Sequence, residues 1–153
     1  RKMTPEQVKL VQSSFKKVEP NAEQAGDIFY SRLFEIAPEV RPMFPDEMSN
    51  QKSKLMSMLG TAVNNLHQVD VIIPAVQDLG RKHVDYGVKD EHYRPVGEAL
   101  IFTLEKGLGD DFTPEVKDAW LTTYTTLQAV MTKAAAEVTA PVDKKGFFGR
   151  MFG

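Results

Sequence analysis

Through most of this chain apolar residues recur every three or four positions, in stretches that open at capping residues and close at prolines or glycines. No run of any length alternates with a period of two, so a sheet has nothing to build on. Thr4-Pro5-Glu6-Gln7 reads as a capping box with proline at the first helical position, and Val8, Val11, Phe15 and Val18 then mark one face until Pro20. From Asn21 to Ala37 a second helix carries Ala25, Phe29 and Leu33 along one row, with Tyr30 and Phe34 on an adjoining one. Residues 38–45 hold three prolines, which predicts a corner with Phe44 on it, and a polar loop, Asp46 to Asn50, follows. Leu55, Met58, Leu59, Ala62 and Val63 then predict a helix from Gln51 to Leu66. Pro74 is expected to restart the chain for the next helix and Gly87 to stop it. A helix from about Tyr93 ends at Gly109, and Thr113-Pro114-Glu115 opens the last long one, through Trp120, Tyr124, Leu127 and Met131. The expectation is an all-α fold of seven or eight helices, without an internal repeat or a glycine-rich phosphate loop.

Composition narrows the classes of function. At 153 residues and 42% hydrophobic, the chain suits one domain whose core can enclose a small ligand. A net charge of −2 with both signs interspersed offers no basic stripe for nucleic acid and no polybasic membrane patch. The absence of cysteine excludes disulfides, thiolate metal sites and a thiol nucleophile, and no signal-like or membrane-spanning apolar run is present, so a soluble cytoplasmic protein is the default expectation. Two segments are expected: a folded domain over 1–140 and a tail over 141–153. That tail, with Lys144, Lys145, Phe147, Phe148, Arg150 and Phe152 among glycines, reads chiefly as a frayed end, with a membrane or partner contact as the other reading.

Within Val76–Val88, counting back from His83 by helical steps reaches Leu79 and Val76, so the imidazole projects from the apolar stripe. Two readings stay open: a core histidine satisfied by a backbone carbonyl, which is the commoner fate, or an iron ligand whose second ring nitrogen the backbone holds. The three histidines, His67, His83 and His92, have no carboxylates at ligand spacing, which argues against a zinc site, and no nucleophile elbow supports a hydrolase. What remains is a set of polar groups on dry faces. Gln51 and Leu55 share one helical face, His83 lies on another, Phe44 sits at a corner and Tyr30 points inward. This pattern suits a pocket that grips a group by one atom and stabilises something opposite it.

The order Phe29-Tyr30-Ser31-Arg32-Leu33-Phe34, Pro38-Glu39-Val40-Arg41-Pro42-Met43-Phe44, Gln51 four before Leu55, Arg81-Lys82-His83, His92-Tyr93 and Ala119-Trp120 resembles bacterial single-domain haemoglobins, and is similar to the globin domain of flavohaemoglobins. The resemblance covers about residues 4 to 134. It implies a globin fold around a haem pocket holding haem b, with His83 as the metal ligand, Tyr30 and Gln51 as the distal pair that meets a bound gas, and Phe44, Leu55, Val88 and Tyr93 against the cofactor.

The resemblance also implies a hydrogen-bonded triad of His83, Tyr93 and a glutamate of the last helix. Aligned through Trp120 and Tyr124, the glutamate's position falls on Ala135; Glu137 lies two residues on, about 200° around the helix. An intact triad would favour peroxidase-like or dioxygenase chemistry, so its absence favours binding over oxidation. The implied function is reversible binding of O2 for storage, delivery or scavenging. The alternatives are nitric-oxide dioxygenase activity with an external reductase, and the gas-sensing domain of a longer protein. NO and CO are the other gases implied.

Overall fold

A computed structural model describes residues 3–139, and among these every regular element is helical. Six α-helices are present: α1 Pro5–Val18, α2 Ala22–Ile36, α3 Ser49–Asn64, α4 Val69–Asp85, α5 Tyr93–Leu108 and α6 Pro114–Thr139. Five short 3₁₀ segments join them, at Glu19–Asn21, Pro38–Met43, Leu66–Gln68, Asp90–His92 and Gly109–Asp111. The expected seven or eight helices thus become six among the described residues, because the connections close as short 3₁₀ segments of three to six residues. None of these helices is long and apolar enough to cross a membrane. The expectations for residues 141–153 lie outside the described residues.

Local chemistry explains most of the boundaries. At the start of α1, Thr4 Oγ1 accepts the Gln7 amide at 3.1 Å and Gln7 Oε1 accepts the Thr4 amide at 3.0 Å. Gly87 and Gly109 take positive φ, +86° and +54°, just past α4 and α5, as the stop positions require. Helix α3 begins two residues before Gln51 because the Glu47 carboxylate accepts the Ser49 amide at 2.8 Å. It ends at Asn64, leaving Leu66 in a 3₁₀ turn.

Pro74 corrects an expectation: it lies inside α4 and does not open it. The hydrogen bond its ring nitrogen cannot give would have gone to the Asp70 carbonyl. Both residues are exposed, so water takes over that carbonyl at small cost.

The helices pack around one core. Val11, Phe15 and Val18 of α1 meet Ala25, Phe29 and Leu33 of α2, Leu100 and Leu104 of α5, and Trp120 of α6. Fully burying such side chains contributes about 1.5–3 kcal/mol each before conformational entropy is set against it. Trp120 Nε1 donates to Ser14 Oγ at 2.8 Å, so the chain's one indole is satisfied within the core. Helix α4 packs most extensively against α6. At Gly80 a Cβ would stand 2.4 Å from the Met131 carbonyl oxygen, so only glycine lets these two backbones approach this closely. Gly80 precedes His83 by one helical turn, and the crossing therefore fixes the height and rotation at which that imidazole is presented.

A candidate cofactor site

One cluster is built where α2 and α3 meet the proline corner. Tyr30 is 4% exposed, and its ring forms an edge contact with Phe44 at 5.5 Å and a tilted one with Phe34 at 5.9 Å. Phe34 and Phe44 close the triangle at 5.4 Å. Such pairs contribute about 0.5–1.5 kcal/mol each beyond area burial, enough to hold the phenol in one orientation. The Gln51 amide donates to the Tyr30 hydroxyl oxygen at 3.2 Å, leaving the phenol's own proton available to another acceptor. Burial pushes the Tyr30 pKa up, with the Gln51 hydrogen bond opposing it in part, so the hydroxyl stays a donor at neutral pH.

A second cluster surrounds His83, which is half-buried, as are Val76 and Leu79 on the same stripe. Desolvation lowers its pKa, favouring neutral imidazole. Its Nδ1 lies 3.0 Å from the Tyr93 hydroxyl, so the partner of the second ring nitrogen is a phenol and not the backbone expected from the segment alone. Among the described residues no hydrogen bond reaches Nε2, and no buried side-chain nitrogen or oxygen lacks a partner, so Nε2 opens onto accessible space. Burial chiefly, with the Asp90 carboxylate, pushes the Tyr93 pKa up to about 12.

Tyr93 is held in turn. The Tyr124 hydroxyl donates to its carbonyl oxygen, and Gly97 makes room, since a Cβ there would come within 2.7 Å of the Tyr124 ring. On α6 Ala135 is buried and Glu137 is exposed, and no described hydrogen bond or ion pair joins Glu137 to His83, Tyr93 or Tyr124.

The expected residues therefore fall into two groups: Tyr30, Gln51 and Phe44 in the first, His83 and Tyr93 in the second. Val88 joins the second through its backbone, donating to the His83 carbonyl at 2.8 Å. Leu55, half-buried on α3, lines a small apolar space with Phe29, Met56, Leu59 and Trp120. No described contact links the two groups directly. Half-buried apolar side chains of α2, α3 and α5, including Phe34, Met56, Leu59, Val96 and Ile101, pack on the core without being covered by it.

The other histidines are occupied elsewhere: His92 Nδ1 accepts the Lys89 amide at 2.9 Å, and exposed His67 pairs with Gln68. Among the described residues no set of three or more His, Cys, Asp or Glu is arranged to hold a metal ion. A metal at His83 must therefore bring most of its own ligands, as an iron porphyrin does. At His83 an imidazole that desolvation keeps neutral, with Nδ1 held by Tyr93, Nε2 left without a described partner and half-buried Val76 and Leu79 on the same stripe, fits that group.

Sequence reasoning did not single out Gly80 or Arg41. A glycine inside a helical pattern was the available signal for the first. The second left none.

The globin family model matches residues 27–131, and the chain belongs to the globin family. It is 33% identical over 122 residues to the flavohemoprotein of Bacillus subtilis, a match covering 76% of this chain and 30% of that longer protein's length. Its structure resembles an engineered carbene transferase made from a proposed nitric oxide dioxygenase of Rhodothermus marinus, with a TM-score of 0.82 and 25% identity, covering 90% of this chain and 96% of that one. It also resembles a bacterial globin of Campylobacter jejuni, with a TM-score of 0.80 and 25% identity, over 90% of this chain and all of that one.

Proposed function

We propose that this globin holds haem b on His83 and binds O2 reversibly, for storage, delivery or scavenging in the cytoplasm. The observation that carries the reading is the Gln51 amide on the Tyr30 hydroxyl at 3.2 Å, which leaves a buried, neutral phenol with a proton to give. Haem iron, when bound, would supply a ferrous centre at which a gas ligand carries partial negative charge. Tyr30 and Gln51 stabilise that charge as hydrogen-bond donors in surroundings from which water is largely excluded. Glutamine is a poor iron ligand beside imidazole, so Gln51 leaves the gas position open. His83 contributes the neutral Nε2 lone pair, and Tyr93 fixes the rotation of its ring through Nδ1. Phe44 would pack against the cofactor as a wedge, Leu55 would roof it with an apolar side chain, and Val88 would bear on it from the His83 side.

A second reading is nitric-oxide dioxygenase activity with electrons from an external reductase. It is favoured by the likeness to the Rhodothermus marinus protein and to flavohemoprotein. The exposed position of Glu137 weighs toward binding.

Absorption spectra of the dithionite-reduced protein test the proposal. A five-coordinate ferrous spectrum that converts to distinct O2 and CO forms is expected; a six-coordinate ferrous spectrum would contradict it. Sustained NO consumption with a reductase present would promote the second reading.

A further inference from the structure

Arg41 touches neither His83 nor the Tyr30–Gln51 pair, yet its side chain is built into the corner that carries Phe44. Its Nη1 donates to the carbonyl oxygens of Phe44 at 3.3 Å and Pro45 at 3.0 Å, and Nη2 donates to that of Asp46 at 3.3 Å. These three carbonyls belong to a stretch with no helical ladder, where Pro45 has no amide to offer. The Arg41 carbonyl also accepts the Phe44 amide at 3.1 Å, so the corner is tied on both sides by one residue. The same guanidinium lies 5.0 Å from the centroid of Phe34, the ring that packs on both Phe44 and Tyr30. Charge is thus brought to the rim of the aromatic triangle without entering it.

We infer that Arg41 is a positioning residue: its planar fork holds Phe44 in place and, through Phe34, fixes the Tyr30 ring, and so controls haem retention and the discrimination between O2 and CO without contacting either. The inference rests on the proposed haem-binding reading. The geometry of the fork is the essential feature, beyond the positive charge. A lysine ammonium is a point donor on a flexible stem and cannot span three carbonyls while keeping its charge over a ring.

The test loads the unmutated protein, Arg41→Lys, Arg41→Ala, Phe44→Leu and the Arg41→Lys/Phe44→Leu double variant with haem. It then times haem transfer to an excess of acceptor apoprotein, together with O2 and CO dissociation. Arg41→Lys should lose haem about 10-fold faster, the scale of one charge-assisted hydrogen bond, and should speed O2 release more than CO release. Adding Arg41→Lys to Phe44→Leu should bring little further haem loss, since the lysine change acts through the ring already removed. If Arg41→Ala fails to fold, Arg41→Lys, which keeps charge and stem, carries the test. A role confined to fold stability would lower the unfolding midpoint and leave the O2-to-CO ratio unchanged, and that result overturns the inference. So does wild-type haem retention in Arg41→Lys, or full additivity in the double variant. Should the unmutated protein take up no haem, the functional reading fails. The Arg41 inference then stands or falls on amide exchange at Phe44 in the haem-free protein, which must quicken in Arg41→Lys while Lys52 exchange does not.

Discussion

The Tyr93 hydroxyl lies 3.0 Å from Nδ1 of His83, and Tyr124 holds the Tyr93 backbone from the far side. The imidazole is thus oriented by a neutral phenol to which no described carboxylate is hydrogen-bonded: Glu137 is exposed, and Asp90 acts on Tyr93 through its charge alone. A neutral partner leaves the ligand less electron-rich than an acid-backed one would. Peroxidase turnover of the haem-loaded protein should be slow and unchanged by Glu137→Gln. A large fall in turnover on that substitution would show that the acid reaches the proximal side.

The Tyr30–Gln51 pair should discriminate between gases. Bound O2 gathers negative charge and CO gathers little, so a lost donor affects the first and hardly the second. Because a hydrogen bond to a charged group contributes about 1.5–3 kcal/mol, Tyr30→Phe or Gln51→Leu should speed O2 release by roughly 10- to 100-fold. Stopped-flow dissociation rates for both gases check this; equal effects on O2 and CO would remove the distal donors from the account.

The helix crossing makes a separate demand. In Gly80→Ala the new methyl would meet the Met131 carbonyl oxygen at 2.4 Å, forcing α4 and α6 apart along their most extensive contact. A loss of about 1–3 kcal/mol is expected in urea unfolding, with faster haem loss because His83 rides on the displaced helix. Gly87→Ala should show a different pattern: its Cβ meets nothing within 4 Å, so any cost comes from the positive φ of 86° and leaves the crossing intact.

Alkaline pH provides a check on the phenols. Burial raises the pKa of Tyr30, Tyr93 and Tyr124, that of Tyr93 to about 12. Below about pH 10 folded and unfolded chains both hold these protons. Above that the unfolded chain loses them first, so stability falls as pH climbs toward 12 and beyond. Denaturation midpoints at pH 9 and pH 11 should differ in that direction, and less so in Tyr93→Phe. A midpoint independent of pH over this interval would contradict the burial of these hydroxyls.

Much of this arrangement was legible beforehand because helical spacing and capping are local properties. The Thr4–Gln7 box, the glycine stops at Gly87 and Gly109 and the inward turn of Tyr30 all follow from residues within one or two turns of each other. What escaped depended on distant backbone. Pro74 looked like a helix start because its cost in an interior position depends on whether the Asp70 carbonyl can meet water. Gly80 acquires its meaning only from Met131, and Arg41 only from the carbonyls the corner presents to it. Spacing within the segment pointed to the backbone as the Nδ1 partner of His83, whereas the resemblance implied the Tyr93 pairing that the structure shows at 3.0 Å.

The central claim is that His83 is the sole protein ligand to the haem iron, and stoichiometric haem titration of His83→Ala beside His92→Ala tests it most directly. His92 accepts the Lys89 amide and should be dispensable. The account predicts that His92→Ala binds one haem per chain with an unaltered ferrous spectrum, while His83→Ala binds haem weakly and recovers a five-coordinate spectrum only when free imidazole is added. Full haem uptake and an unchanged ferrous spectrum in His83→Ala would contradict it.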